Sequence, residues 1–279
     1  MRKNKWLTTS SCTTPLTRHG ITGALSSKKI QYAVIFAMIK FPSEEDIRTL
    51  YSYFPFENLK IQDSDFAMKH TNSIEGVKQL ATIQELSAWK IALHNKWNDI
   101  AYAYVMMMFY YNQGIPDEPY YISPGKKEQS VEYFPNFNQE HYLIKDSFDF
   151  YADVYFFKFF SAINDGVWQI LNVYFNLGID VYKVTWKNIR FKIANIDSKI
   201  LDSLEKIYKD DRYIKGNNLR NSITHRLPVG SQGTGIRRKD NAIIFRVLDY
   251  VSARETVEVA KGLLDFGIEA FEKIKKLCN

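Results

Sequence analysis

The chain has 279 residues, 46% of them hydrophobic and 24% charged, which is typical of a globular protein and excludes a disordered, fibrous or collagen-like chain. Its net charge of +6 is the difference between 37 Lys and Arg and 31 Asp and Glu. Only Cys12 and Cys278 are present, which excludes a disulfide framework and a Cys-based zinc site and fits a reducing, cytoplasmic location. No apolar run reaches the ~18 residues of a membrane span.

The charge is concentrated in two stretches that lack acidic residues. Residues 1–43 and residues 212–239 each contain seven Lys or Arg and no Asp or Glu, so the rest of the chain has a net charge of −8. Two basic stretches on a slightly acidic body predict a surface that contacts a polyanion.

The N-terminal third begins with a segment that has no structural periodicity. Residues 1–27 are rich in Ser and Thr and predict a flexible basic leader, although the same composition fits an organelle transit peptide. Ser43, followed by acidic residues, predicts the N-cap of a short helix. Apolar residues then recur at helical spacing over 71–112 and predict a long helix.

The middle of the chain predicts a connector and a second long helix. Gly and Pro punctuate residues 114–144, which predicts an extended connection. Residues 146–177 are dense in Phe, Tyr and Trp and apolar on most sides, which predicts the most buried helix of a bundle, with Gly178 as its C-cap.

Three further helices are predicted in the last third, over 197–209, 211–225 and 252–277, with a basic loop over 227–240. Residues 32–39 form a short apolar run that is either a strand or a helix, and few strands are expected in the whole chain. The expected fold is therefore all-α, an antiparallel helical bundle with two long helices, an aromatic central helix and an irregular N-terminal segment, in a single domain over 28–279.

The second basic stretch contains the main candidate for chemistry, Arg220-Asn221-Ser222-Ile223-Thr224-His225, at the end of a predicted helix. Residues four apart share a helix face, so Asn221 is expected to hold the imidazole of His225 in one orientation. Arg220 lies on the neighbouring stripe. The helix end favours a protonated His225, and Pro228 turns the chain away.

An imidazole beside an arginine is the minimum for RNA cleavage without a metal or cofactor. The histidine can take the proton of a 2′-hydroxyl or protonate the leaving 5′ oxygen, and the arginine can stabilise charge on the phosphoryl oxygens. One histidine cannot easily do both, so a second copy of the chain is expected to supply the other. The structural alternative is that His225 caps helix carbonyls and Arg220 is a solvated charge.

Cations around this motif are candidates for contacts with RNA phosphates, which position RNA without reading its sequence. The alternative is a solvated run of charge. The candidate RNA-binding residues are Lys215, Arg226, Arg237, Arg238 and Lys239.

The segment LRNSITH, on the penultimate helix of an aromatic-rich bundle, resembles the Arg-polar-x-x-x-His signature of HEPN domains, and the connector YYISPGKKEQSVEYFPNF before SFDFYADVYFFKFF is similar to one bacterial branch of that superfamily. The resemblance implies an all-α fold, a homodimer that pairs two motifs across a cleft, and often metal-independent endoribonuclease activity in toxin–antitoxin, defence or stress systems. By motif position, Arg220 and His225 are the implied catalytic pair and Asn221 the polar residue.

The predicted function is a dimeric, metal-independent endoribonuclease with a catalytic region over 211–226. Two alternatives use the same residues. One is a non-catalytic module that binds RNA or a nucleotide through the basic surface. The other is a protein-interaction module, such as an antitoxin-like dimer, in which Arg220 and His225 have a structural role.

Overall fold

A computed structural model of the chain describes residues 40–62, 64–66, 76–117, 120–122, 131–133, 137–225, 234–239, 242–247 and 251–278. The predicted leader 1–27, and residue 28 where the predicted domain starts, lie outside these residues. Phe41–Asn279 form one compact unit.

The elements of the described residues, in chain order, are α1 (Glu44–Ser52), α2 (Phe56–Leu59), α3 (Gly76–Asn112), β1 (Tyr120–Ile122), β2 (Val131–Tyr133), α4 (Gln139–Ser161), a π-helix (Ala162–Val167), α5 (Trp168–Tyr174), a 3₁₀ turn (Val181–Lys183), α6 (Trp186–Ile193), α7 (Ser198–Tyr208), α8 (Asp211–His225), β3 (Thr234–Lys239), β4 (Ala242–Val247) and α9 (Ala253–Cys278).

Helix α1 begins at the cap that the sequence predicts. The hydroxyl of Ser43 accepts a hydrogen bond from the Asp46 amide at 3.1 Å, and the Asp46 carboxylate accepts one from the Ser43 amide at 2.9 Å. This reciprocal pair is a capping box, which satisfies two amides that a helix start leaves without partners. The prediction of Ser43 as N-cap is confirmed.

The two long helices α3 and α4 form the centre of the bundle and run antiparallel. Trp97 of α3 meets Phe159 of α4 with ring centroids 6.0 Å apart, and Tyr111 of α3 meets Phe148 of α4 at 6.2 Å, so the pairing order reverses between the two helices. Trp97, Phe148 and Phe159 are completely buried. Both helices therefore contribute completely buried rings to the core, although α4 also exposes Phe150 and Phe157.

The aromatic helix starts earlier than predicted and is not continuous. It starts at residue 139 and not at 146, because the side chain of Asn138 accepts a hydrogen bond from the His141 amide at 2.8 Å and caps the first turn. It is also interrupted by the π-helix Ala162–Val167. A Cβ on Gly166 would lie 2.8 Å from Leu93, so a glycine at this position lets the π-helix approach α3.

The predicted C-cap at Gly178 is wrong, because α5 ends at Tyr174 and its C-cap is Phe175. Asn176 has a left-handed backbone, with φ of 49°, and its amide donates to the Val173 carbonyl at 3.1 Å. The amide of Leu177 donates to the Asn172 carbonyl at 2.9 Å. Together these bonds form a Schellman motif, and asparagine adopts the left-handed conformation more readily than most residues.

Helix α6 is a two-turn element that the sequence analysis did not predict. Thr185 caps it, and Ile189 and Ile193, four residues apart, are buried on one face. Its first residue, Trp186, lies between Trp168 at 5.2 Å and Tyr208 at 4.9 Å. Tyr208 in turn contacts Tyr213 of α8 at 5.3 Å. A column of four rings, Trp168-Trp186-Tyr208-Tyr213, thus attaches α6 to α8.

Two short hairpins correct the predicted loops. In place of an extended connection, β1 pairs with β2 in antiparallel register, with Tyr120 opposite Tyr133. In place of a loop over 227–240, β3 pairs with β4, with Lys239 opposite Ala242. The sequence AIIFRV of β4 is rich in residues that favour strands, and two residues of turn-forming type, Asp and Asn, separate the strands.

The all-α class is confirmed, since helices make up the bundle and the hairpins are short additions to it. Within the described ranges, no helix is long and apolar enough to cross a membrane.

Candidate active site

Helix α8 carries the predicted motif and has the bounds that the sequence predicts, Asp211–His225. The residue before it, Asp210, accepts a hydrogen bond from the Arg212 amide at 2.9 Å, and its carbonyl accepts one from Ile214 at 3.0 Å. These bonds satisfy amides of the first turn and fix where the helix starts.

Close packing against α9 holds α8 in place. A Cβ on Gly216 would lie 2.3 Å from Cδ1 of Leu263, which is completely buried, so only glycine fits at this contact. Three residues earlier, the ring of Tyr213 packs against Phe160 at 5.2 Å and Phe266 at 5.5 Å. The motif-bearing helix is therefore anchored in the core through one face.

Tyr213 links this anchor to the π-helix. Its hydroxyl lies 3.5 Å from Oδ1 of Asn164, at the outer limit of a hydrogen bond. Burial raises the pKa of Tyr213, and the positive charge of Arg220 offsets part of that rise. Tyr213 is therefore a neutral phenol at physiological pH, and its ring lies within the electrostatic reach of Arg220. Seven residues separate the two, so they share a helix face.

Arg220 and Asn221 contact each other directly on the last turns of α8. Nη1 of Arg220 donates a hydrogen bond to Oδ1 of Asn221 at 3.1 Å, and both side chains are half-buried. This bond uses the Asn221 oxygen to orient the guanidinium, and the predicted orientation of His225 by Asn221 stays a prediction. The side chain of His225 lies outside the described part of the structure, and its backbone ends α8 one turn after Asn221.

Arg212 belongs to the basic stretch by sequence, but acidic groups engage its charge. Its guanidinium donates to Asp210 at 2.9 Å and to Glu269 of α9 at 2.8 Å. These hydrogen bonds hold the pKa of Asp210 and the pKa of Glu269 below their ordinary values. No local pattern predicts the contact between Arg212 and Glu269, because Glu269 is 57 residues away.

The predicted RNA-binding residues do not all belong to one described surface. Lys215 is exposed on α8 and lines a groove of about 160 Å³ with Glu255 and Glu258 of α9, so acidic groups share its surroundings. Arg226 lies outside the described residues. Arg237, Arg238 and Lys239 lie in β3, with Arg237 opposite Ile244 of β4. Their grouping with Lys215 remains a prediction.

No group of three or more His, Cys, Asp or Glu in the described ranges is arranged to hold a metal ion. Cys278 is buried at the end of α9, and burial raises the pKa of its thiol to about 12, so it is an unreactive thiol. Among the described side chains, Arg220 and Asn221 are the predicted catalytic residues that contact each other.

Sequence reasoning missed Tyr213 and Asn164 as neighbours of the motif. The seven-residue interval between Tyr213 and Arg220 was a usable signal, since it places both on one face of the helix. Asn164 had no such signal, because its position depends on a π-helix that periodicity does not predict.

Comparison with known proteins gives a family for this arrangement. The family model described as HEPN_Cthe2314-like HEPN matches residues 89–276, about two thirds of the chain, including all of α8. No match was found among curated proteins or among solved structures.

Proposed function

Because this chain belongs to the HEPN_Cthe2314-like HEPN family, we propose that it is a metal-independent endoribonuclease. At the coarser level, family membership supports a nuclease or nucleotide-binding module. The observation that favours cleavage is the hydrogen bond from Arg220 to Asn221, which holds a guanidinium in one orientation one turn before the predicted general base.

In the proposed reaction, His225 takes the proton of a ribose 2′-hydroxyl, and the 2′ oxygen attacks the adjacent phosphorus. The bond from phosphorus to the 5′ oxygen breaks, and His225 of a second copy protonates the leaving oxygen. The products are a 2′,3′-cyclic phosphate and a 5′-hydroxyl. Arg220 stabilises the charge that develops on the phosphoryl oxygens, and Asn221 is a positioning residue that acts through Arg220.

The geometry of α8 supports this assignment of roles. The half-buried position of Arg220 reduces the screening of its charge by water, which strengthens its attraction for a phosphate. The anchoring of α8 by Gly216 and Tyr213 keeps the guanidinium fixed relative to the core. A group that is fixed before the reaction stabilises a transition state at little cost in reorganisation.

The test is incubation of the purified full chain with RNA in excess EDTA. We expect 2′,3′-cyclic phosphate ends, a loss of roughly 10²–10⁴-fold in rate for His225→Ala, and a loss of similar order for Arg220→Ala. Arg48→Ala is the matched control, since Arg48 is an exposed arginine of α1 that pairs only with Glu44 of the same helix among the described residues. Cleavage by His225→Ala at the wild-type rate contradicts the proposal.

A mixing experiment tests the second copy. If one active site takes His225 from two chains that exchange freely, activity falls as the square of the wild-type fraction when wild type is mixed with His225→Ala. A linear fall indicates that one chain suffices. RNA binding that weakens with salt, without any turnover, indicates the non-catalytic alternative.

A further inference from the structure

A second surface, remote in sequence from the motif, combines exposed rings with cations. Residues 181–196 contain four Lys or Arg and no acid. Within them, Tyr182 is 95% exposed and Phe191 is 71% exposed. Together with Lys183, Lys187 and Lys192, these two rings form what is here called the Phe191 surface.

The position of Phe191 follows from how α6 packs. Ile189 and Ile193 face the core and are buried, whereas Lys187 and Phe191, four residues apart, form an exposed stripe on another side of the helix. The fold gains nothing from a large apolar ring in that position, because the ring stays in water. Single exposed apolar residues are common, but an exposed ring whose neighbouring clefts are lined by lysines has the composition of a binding surface.

Two open clefts flank the Phe191 ring. One has a volume of about 310 Å³ and is lined by Lys183, Lys192 and the acidic Asp180, and the other has a volume of about 400 Å³ and is lined by Lys187. Phe191 and Asn188 line both clefts and so form the wall between them. Each cleft thus offers a face of the same ring and at least one ammonium group.

The three lysines of this surface are available to a ligand. Arg190, the fourth cation of the run, pairs with Glu205 at 2.7 Å. In the described part of the chain, Lys183, Lys187 and Lys192 form no ion pair with an acidic group. Asp180 lines one of the clefts, so the surface has three ammonium groups against one carboxylate, and the net positive charge that remains complements a polyanion.

We infer that the Phe191 surface binds single-stranded RNA, with bases stacked on Phe191 and Tyr182 and phosphates held by Lys183, Lys187 and Lys192. This inference rests on the proposed function, in which RNA is the substrate, and it adds a second site that holds the strand. A single strand is indicated because stacking platforms require unpaired bases. Clefts on both sides of a ring suit inserted bases better than the flat surface of a membrane.

The experiment measures binding without cutting. The full chain carrying Arg220→Ala is titrated into a fluorescently labelled, unstructured oligouridine, and fluorescence anisotropy gives Kd. Adding Phe191→Ala is expected to weaken binding by about 5- to 150-fold, the range for loss of a base–aromatic stack. The matched control is Phe150→Ala, since Phe150 is a comparably exposed ring, 61% exposed, on a different helix, α4. Calorimetry should give an unchanged Tm for both variants.

The outcomes separate this inference from the proposed function. Phe191-dependent binding by a chain that never cleaves RNA supports the surface while the nuclease proposal fails. Cleavage with equal Kd values for Phe191→Ala and Phe150→Ala overturns the surface and leaves the nuclease standing. The RNA-binding role of the Phe191 surface is also overturned if the chain does not bind oligouridine at low salt. It is overturned likewise if Phe191 is needed for binding to vesicles of anionic phospholipid and not for binding to RNA.

Discussion

The start of α8 and the exposed side of α6 both look basic in the sequence, yet they offer different amounts of charge to a ligand. Arg212 at the start of α8 is bound by Asp210 and Glu269, so its charge is neutralised within the fold. Lys183, Lys187 and Lys192 on and beside α6 have no acidic partner among the described residues. Net charge counted along a sequence window therefore overestimates the available charge of both regions, by Arg212 in the first and by Arg190 in the second, because acids from other helices decide which cations remain available.

The largest expected effect tests whether α8 depends on its close packing. Gly216→Leu forces a side chain into the buried Leu263 and should destabilise the fold by about 3 kcal/mol or more, which lowers Tm by several degrees in calorimetry. The control is Gly262→Ala in α9, whose Cβ would lie 3.8 Å from Arg212 and in ordinary contact. A Tm for Gly216→Leu equal to that of wild type contradicts the anchoring of α8.

Salt dependence tests the difference in available charge directly. In the Arg220→Ala background, changing Lys183, Lys187 and Lys192 together to Ala should reduce the slope of log K against log salt by about 2, since each phosphate contact with a single strand contributes roughly 0.7. Arg212→Ala should leave the slope unchanged. A reduced slope for Arg212→Ala instead means that the ion-paired arginine contacts RNA and that the contrast between the two regions is wrong.

The smallest expected effect is the loss of stability in acid that comes from the ion pairs of Arg212 with Asp210 and Glu269. The pKa values of Asp210 and Glu269 are lowered from ordinary values of 3.8 and 4.5 by hydrogen bonds from Arg212. The stabilisation is therefore fully present above those ordinary values and is lost as the pH falls below about 4.5 through the lower pKa values of the folded state. Glu269→Gln should reduce the drop in Tm between pH 7 and pH 3 relative to wild type.

The control for this drop is Glu44→Gln, which removes an exposed pair within α1. It should leave the acid-dependent drop close to that of wild type, because exposed pairs of this kind contribute little. If Glu269→Gln and Glu44→Gln show the same drop in Tm between pH 7 and pH 3, the ion pairs of Arg212 have no special role in acid stability.

Much of the fold was predictable because its signals are local. The predicted end of α8 follows from Pro228 and Gly230, which stop a helix, and the start of α1 follows from Ser43 and its acids. Helix α6 was not predicted, because a helix of two turns with two buried residues is too short to show a helical period in the sequence. The hairpin β3–β4 was missed because its glycine-rich approach resembles a loop, and its pairing depends on residues further along the chain.

In the candidate site, too, only contacts between residues close in sequence could be predicted. Arg220 and Asn221 are adjacent, so their proximity was assured, but the direction of the hydrogen bond was not. The orientation of His225 by Asn221 stays a prediction, because the side chain of His225 lies outside the described residues, and the bond that the structure adds is the one from the charged guanidinium to the Asn221 oxygen. The partners of Arg212 and Tyr213 come from helices far along the chain, and no local pattern predicts such contacts.

The ring column that joins α6 to α8 gives the molecule an optical signature. Trp186 is stacked on Tyr208 at an interplanar angle of 17° and tilted on Trp168 at 35°, and rings coupled so closely produce circular dichroism in the near ultraviolet. That signal depends on fixed side-chain packing and disappears when packing is lost even if the helices persist. Trp186 lies about 140° around the axis of α6 from Phe191, given 3.6 residues per turn. The column is thus a built-in spectroscopic probe of how α6 is attached to α8, and it lies away from the surface where RNA is proposed to bind.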